Sequence, residues 1–230
     1  MTLMALLQKI GFTRQDELFL LGDYIDRGPD SAGVLDSIFM LLDSGYRVHC
    51  LLGNHEQALL NAIEDKYWFR SWVEWGGRQT LESFQVSHPS DIPAYYLEFL
   101  QSLPYVLEVD EYILVHAGLN FFNGDPLAPC AEMLTLRNWY HTLDYEWLGD
   151  RFVLHGHTQT DFKVILDQLK HLERNCFLNL DNGCYNVGFP DRGRLLAFEL
   201  GTRTLSFQTN IDNMHDWQVR APQPLMRTGS

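Results

Sequence analysis

The sequence is short of positive charge. Its 17 Lys and Arg stand against 30 Asp and Glu, a formal net charge of −13 over 230 residues, and no basic stripe interrupts the deficit. A surface of that sign repels a phosphate backbone, which excludes non-specific nucleic-acid binding. Cysteine is scarce too: Cys50, Cys130, Cys176 and Cys184 form no CxxC pair, and a chain of this length does not depend on disulfide staples. They are expected to be reduced, which points to the cytoplasm. No apolar run approaches the ~20 residues of a membrane span, so no membrane partner is expected. The opening "MTLMALLQKI" lacks the basic region and cleavage site of a secretory signal. Internal repeats and low-complexity segments are missing as well.

What is present is 46% hydrophobic residues, enough to bury a sizeable core in one domain with a helical insertion. Leu3, Leu6, Leu7 and Ile10 fall at helical spacing and Gly11 ends the pattern, which predicts a helix opening almost at residue 1. Four apolar runs of strand length follow: "LFLL" (18–21), "VHCLL" (48–52), "YILV" (112–115) and "FVL" (152–154). Polar residues able to do chemistry come directly after each, in "GDYIDRG", "GNHE", "HAG" and "HGHT", and "CFLNLDNGC" (176–184) repeats the arrangement. Between the first two runs, Val34, Leu35, Ile38, Leu41 and Leu42 repeat with helical period behind a Pro29–Asp30–Ser31 start, giving a strand–helix–strand unit. Residues 57–103 are aromatic-rich and mostly helical in pattern, broken by "WGG" at 75–77. They read as a helical cap inserted in a domain spanning 1–210. "RLLAFEL", "GT" and "RTLSF" predict an antiparallel hairpin, and residues 211–230 read as a loose C-terminal tail.

In open α/β sheets ligands gather beyond the carboxyl ends of strands. The residues delivered to that edge are Asp23, Asp26, Arg27, Asn54, His55, Glu56, His116, His155 and His157. A mixture of imidazole, carboxylate and amide oxygen suits manganese, iron or zinc better than a thiolate site or a calcium cage would. Such a metal makes hydroxide from bound water near neutral pH, and two metals ~3.5–4 Å apart can clamp a phosphoryl group. An arginine fork matches that group's oxygens. "HEQAL" is no zinc-protease helix, since Leu59 stands where HExxH needs its second histidine.

"GDYIDRGPDS", "GNHE", "HAG" and "GHT", in that order, resemble the phosphoprotein phosphatase branch of the calcineurin-like metallophosphoesterases, in the style of bacterial and phage-type serine/threonine phosphatases. "WGGRQTLESF", "LTLRNWY" and "NLDNGC" are similar to the bacterial members, and the resemblance covers about residues 1 to 200. It implies an α/β sandwich of two mixed sheets flanked by helices. It also implies that Asp23 bridges two divalent ions, most in keeping with manganese, and that Asn54, His116 and His157 complete the second ion's shell. Asp26 would orient His55, the general acid, while Arg27 and Arg137 would grip the phosphate. Glu56 would support the loop rather than bind metal. Arg137 rests on a looser match, "LR" followed by aromatics. A lone histidine after an apolar run is usually a hydrogen-bonded strand end; the company of the other motifs reverses that for His116 and His157. His155, two residues before His157, is expected to face away from the metal. Trp68, Trp72 and Trp75 are read as packing.

One departure matters. The family's Asp-x-His motif, which supplies the other ligands of the first metal and sits on a first strand, would precede the helix that begins here at Met1. A shortened chain, a start assigned too late and a natural loss all account for it; the first two are favoured, because a buried parallel sheet rarely survives losing a middle strand. Should the chain begin here, severe loss of activity with one retained metal is expected. The function expected is hydrolysis of phosphate monoesters, foremost phosphoserine or phosphothreonine in proteins, by in-line attack of metal-bound hydroxide. A symmetrical dinucleoside tetraphosphate hydrolase is the alternative; such relatives carry Asn at the position of Asp26 and Asp at that of Glu56. A degenerate, non-catalytic binding protein is the rival from another class.

Overall fold

The computed structural model describes residues 1–212. Helix α1 (Thr2–Lys9) buries Leu6 and Leu7 and packs on the C-terminal hairpin. Strand β1 (Glu17–Leu20) leads through the first motif into α2 (Ser31–Asp43), whose N-cap Asp30 accepts the Gly33 N–H at 2.9 Å. Strand β2 (Arg47–Cys50) returns parallel to β1, with Leu18 opposite Val48. The expected strand–helix–strand unit is therefore present. Helices α3 (Asn54–Ala62), α4 (Lys66–Trp72), α5 (Arg78–Phe84) and α6 (Ala94–Gln101) follow, with a turn over Val73–Gly77, kinked at Gly76, joining α4 to α5. Helicity begins at Asn54, inside the "GNHE" motif, rather than at residue 57.

A four-stranded mixed sheet forms the centre. It runs β3 (Val106–Val109), β4 (Tyr112–Val115), β5 (Phe152–His155), β6 (Phe177–Asn179), with β3–β4 antiparallel and the rest parallel. Strands β4 and β5 are buried at every position, which explains their uninterrupted apolar sequences. Tyr112, Leu114, Phe152 and Leu154 face one core with Leu51, Ile165 and Leu178. Ile113, Val115 and Val153 face another with Leu119, Met133, Trp139 and Leu148. The short helices α7 (Tyr145–Leu148), α8 (Phe162–Lys170) and α9 (Leu172–Asn175) flank this sheet.

The opposite layer differs from the two mixed sheets expected: it is divided into two. One piece is the parallel pair β1–β2; the other is antiparallel, β7 (Asp181–Asn182), β8 (Arg194–Glu199) and β9 (Thr204–Thr209). Among the described residues β1 pairs on one edge only. Phe19 and Leu21 from one piece and Leu196, Phe198 and Leu205 from the other pack against the same core, which holds residues of β4 and β5. The predicted hairpin is β8–β9. Asp212 accepts both the N–H and the hydroxyl of Thr2, so the first residues of the expected tail are anchored; the remainder of 211–230 lies outside the described residues. Cys50, Cys130, Cys176 and Cys184 form no disulfide. Among the described residues no helix is long and apolar enough to cross a membrane.

Leu114→Ala, at the centre of β4, is expected to cost about 2–5 kcal/mol of unfolding free energy in urea melts, and Met40→Ala on the exposed face of α2, where the side chain is 49% accessible, within about 0.5 kcal/mol. Equal effects of the two would contradict the layer assignment.

Candidate metal centre and acid–base pair

The predicted residues come together at the carboxyl ends of the parallel strands. Asp23, Asp26 and Arg27 follow β1, Asn54 and His55 follow β2, His116 follows β4, and His157 follows β5. The backbone is bent to present them: Asp23 (φ 58°), Asp26 (72°), Arg27 (62°) and His157 (64°) all lie in the left-handed region, which side chains other than glycine enter at a cost. The loops touch closely. A Cβ on Gly53 would stand 2.4 Å from the Asp23 backbone N and from its Oδ1, and 2.5 Å from Glu56 Oε2, so only glycine fits there.

Four donor atoms converge. Asn54 Oδ1 lies 3.0 Å from His116 Nε2 and 2.8 Å from His157 Nδ1, and Asp23 Oδ1 lies 3.4 Å from His116 Nε2. Ligand atoms of Asp23, His116 and His157 all fall within 4.8 Å of one another. The His116 tautomer makes this arrangement informative. Its Nδ1–H donates to Leu21 O at 2.7 Å, so Nε2 faces the Asn54 and Asp23 oxygens. A proton on Nε2 donates to them; without it, the nitrogen lone pair and the two oxygens offer one face to a divalent cation. Ligands ~2.1 Å from a divalent ion stand ~3.0–3.4 Å apart at right-angle to tetrahedral geometry; the Asn54–His116 and Asp23–His116 spacings of 3.0 and 3.4 Å fall in that range, and the Asn54–His157 spacing of 2.8 Å is shorter. Burial, His116 and Arg137 push His157 down to about 3, keeping its lone pair free. Burial works against ionisation of Asp23, but His116, His55 and the His55 N–H together hold its carboxyl below the usual range. Nitrogen-and-oxygen donors of this kind fit manganese, iron or zinc.

Beside this cluster, His55 Nδ1 meets Asp26 Oδ2 at 2.6 Å, the His55 side chain 2% exposed and that of Asp26 0%. Burial lowers the His55 imidazole, but the Asp26 hydrogen bond and the Asp23 charge outweigh it, and the net shift is upward. The second nitrogen, Nε2, carries no hydrogen bond among the described residues. Glu56 accepts the N–H groups of Asp23 (2.9 Å), Tyr24 (2.7 Å) and Gly53 (2.9 Å), tying the first motif to the second as expected of a supporting residue. Burial and the Asp23 charge push it up to about 8, opposed by those N–H groups.

Arg27 is half-buried, its Nε donating to Trp75 O at 3.2 Å and its guanidinium 4.7 Å over the Tyr185 ring. Arg137 is exposed and reaches the His157 carbonyl at 3.4 Å, at the rim of the cluster. His155 faces away: Nδ1 meets Gly156 O and Nε2 the Tyr140 hydroxyl, both at 3.0 Å, and burial pushes it down to about 4. Three neighbours of the site were not anticipated. Asp181 lies close enough for the Asp23 charge to add to the burial that raises its carboxyl, the Gly183 N–H opposing; "NLDNGC" drew attention without assigning it a part. Trp72 and Thr80 bond directly to Asp26. Trp72 was read as packing, and only its closeness to the "WGG" break could have signalled more.

This is the setting of a metal-dependent phosphoesterase, and comparison with known proteins agrees. The sequence profile of calcineurin-like phosphoesterases matches residues 2–188, and the chain belongs to that family. It is similar to the symmetrical bis(5'-nucleosyl)-tetraphosphatase of Nitrosomonas europaea, 34% identical over 117 residues that cover 50% of this chain and 39% of that protein. It is also similar to serine/threonine-protein phosphatase 1 of Salmonella typhimurium, 34% identical over 111 residues covering 45% and 46%. The matched stretch thus spans less than half the length of these curated relatives. A crystal structure of a metallophosphoesterase from Sphaerobacter thermophilus superposes with a TM-score of 0.55 at 17% identity, over 94% of this chain and 86% of that one. Another solved structure reaches 0.62 at 21% identity, over 90% and 86%. Such identities speak for the fold alone.

His116→Ala is expected to weaken Mn²⁺ binding, read by titration calorimetry, on the order of 100-fold or more, and His171→Ala on exposed α8–α9 surface to leave it unchanged. Equal affinities would remove the cluster from metal binding.

Proposed function

We propose that this protein hydrolyses dinucleoside tetraphosphates symmetrically, water entering at the central anhydride to release two nucleoside diphosphates. The convergence of Asp23, Asn54, His116 and His157 beside the His55–Asp26 pair carries the reaction class. The substrate rests on the relatives: the tetraphosphatase of Nitrosomonas europaea is joined by others of the same name. They favour the alternative drawn from the sequence over phosphoprotein hydrolysis. The second reading, a serine/threonine phosphatase, is kept by Asp26 and Glu56, which follow the protein-phosphatase form of the motifs, and by the Salmonella relative.

A divalent ion held by the four donors would supply positive charge for the phosphoryl oxygens and acidify water for attack. The chain's own residues do the rest. Asp26 fixes Nδ1 of His55, so that the proton on Nε2 is the one offered to the departing oxygen. The upward shift of His55, set by the Asp26 hydrogen bond and the Asp23 charge against burial, favours the protonated ring. Arg27, tethered by Trp75 O and Tyr185, keeps its terminal N–H groups for phosphate oxygens, and Arg137 approaches from the His157 side. Against the degenerate binding protein, the acid–base pair is buried, short and complete.

With Mn²⁺ supplied, diadenosine tetraphosphate is expected to be cleaved faster than a phosphoserine peptide, ADP being the product by chromatography. His55→Asn is expected to lower turnover ~10²–10⁴-fold while metal binding persists. Dominant peptide cleavage would transfer the assignment to the second reading, and an unchanged rate in the variant would take the proton-donor role from His55.

A further inference from the structure

The carboxylate of Asp26 is wholly enclosed, so its lone pairs must be met by protein donors. His55 meets one. The others are met from the inserted helices. Trp72, the last residue of α4, points its Nε1–H at Oδ2 (2.9 Å) and Oδ1 (3.2 Å). Thr80, in α5, donates its hydroxyl to Oδ1 at 2.6 Å. Both are 0% exposed.

The direction of these bonds is forced. Indole nitrogen can only donate. The Thr80 oxygen already accepts the backbone N–H of Asp26 at 2.9 Å. Its single proton goes to the carboxylate, so the Ser31 hydroxyl, 3.1 Å away, must donate to Thr80. Asp26 is thereby fixed at its backbone and at both carboxylate oxygens by one segment of chain, which leaves it one orientation toward His55. Bonds to an ionised acceptor are the strong ones.

The same segment holds the neighbouring arginine. In the kink between Trp72 and Thr80, Gly76 adopts φ +122° and its carbonyl accepts the Arg27 N–H at 3.2 Å. A Cβ there would lie 2.6 Å from Arg27 Cγ. The kink falls where glycine alone takes such a φ without strain, and it lets Trp72 and Thr80 approach Asp26 from either side of "WGG".

We propose that Trp72 and Thr80 are positioning residues for proton donation: they hold Asp26 so that His55 faces the leaving oxygen, which makes the inserted helices part of the acid–base apparatus. This rests on the phosphoesterase reading above. Loss of packing alone would slow all substrates alike. Loss of proton donation slows those whose leaving oxygen needs the proton.

Trp72→Phe, Thr80→Val and Thr80→Ser are to be compared with the native protein on phenyl phosphate, whose leaving group is basic, and p-nitrophenyl phosphate, whose leaving group departs as the anion. Both Trp72→Phe and Thr80→Val are expected to lower kcat on phenyl phosphate ~10-fold or more and on p-nitrophenyl phosphate less than ~3-fold, with Thr80→Ser near native on both. In parallel, proton NMR of the zinc-loaded protein reads the far-downfield His55 Nδ1 proton, identified by its disappearance in His55→Asn. It is expected to shift in Trp72→Phe and Thr80→Val and to return in Thr80→Ser, with the dispersion of the remaining spectrum showing that each variant is folded. Equal losses on both esters, or an unmoved proton, would overturn the proposal. Should the native protein hydrolyse neither these esters nor diadenosine tetraphosphate, the phosphoesterase reading falls, and the proton signal alone decides for or against the positioning role.

Discussion

The site depends on one histidine that holds its outer nitrogen among oxygens from separate loops. His116 donates its Nδ1–H to Leu21 O and so turns Nε2 toward Asn54 Oδ1 at 3.0 Å and Asp23 Oδ1 at 3.4 Å. Those atoms come from loops after three different strands, and His157 brings in a fourth. A proton on Nε2 satisfies these oxygens within the protein; a divalent cation in its place would be met by all four groups at once and would be the largest local charge in the site.

The loops reach that point under strain, and the strain has identifiable supports. Left-handed conformations at Asp23, Asp26, Arg27 and His157 cost on the order of 1–3 kcal/mol each and persist only when the surroundings over-determine them. Glu56 does this for Asp23 by accepting the N–H groups of residues 23, 24 and 53. Thr80 and Gly76 do it for Asp26 and Arg27, taking up their backbone N–H groups. A net of about 0.5–1.5 kcal/mol per neutral hydrogen bond means that two or three such bonds offset one strained residue. The supports come from α3, from α5 and from the kink before it, so these helices and the motif loops are bound together at the site.

Much of this was legible in the sequence because the elements that carry it are buried on both faces. "YILV" and "FVL" read as strands without ambiguity, and β4 matches its run residue for residue; the motif residues then followed from the rule that chemistry gathers past the carboxyl ends of parallel strands. His155 and His157 part because β5 ends at His155 and His157 turns into a left-handed conformation, φ 64°; alternation alone would have put two residues at that spacing on one face. The start of α3 was missed because Asn54 and His55 do two things at once, standing in the site and forming the helix's first turn under Gly53 and Glu56. Trp72 and Thr80 were missed for a different reason. They sit 46 and 54 residues from Asp26, and no local pattern distinguishes an indole that packs from one that also donates to a buried carboxylate. The divided layer opposite the central sheet was not legible either, since pairing between distant strands leaves no mark on composition or period.

Anomalous diffraction from crystals grown with Mn²⁺ tests the central claim most directly. The account predicts an anomalous peak within ~2.0–2.4 Å of Asp23 Oδ1, Asn54 Oδ1, His116 Nε2 and His157 Nδ1 together. A peak elsewhere, or those four atoms drawn apart with no ion between them, would contradict it.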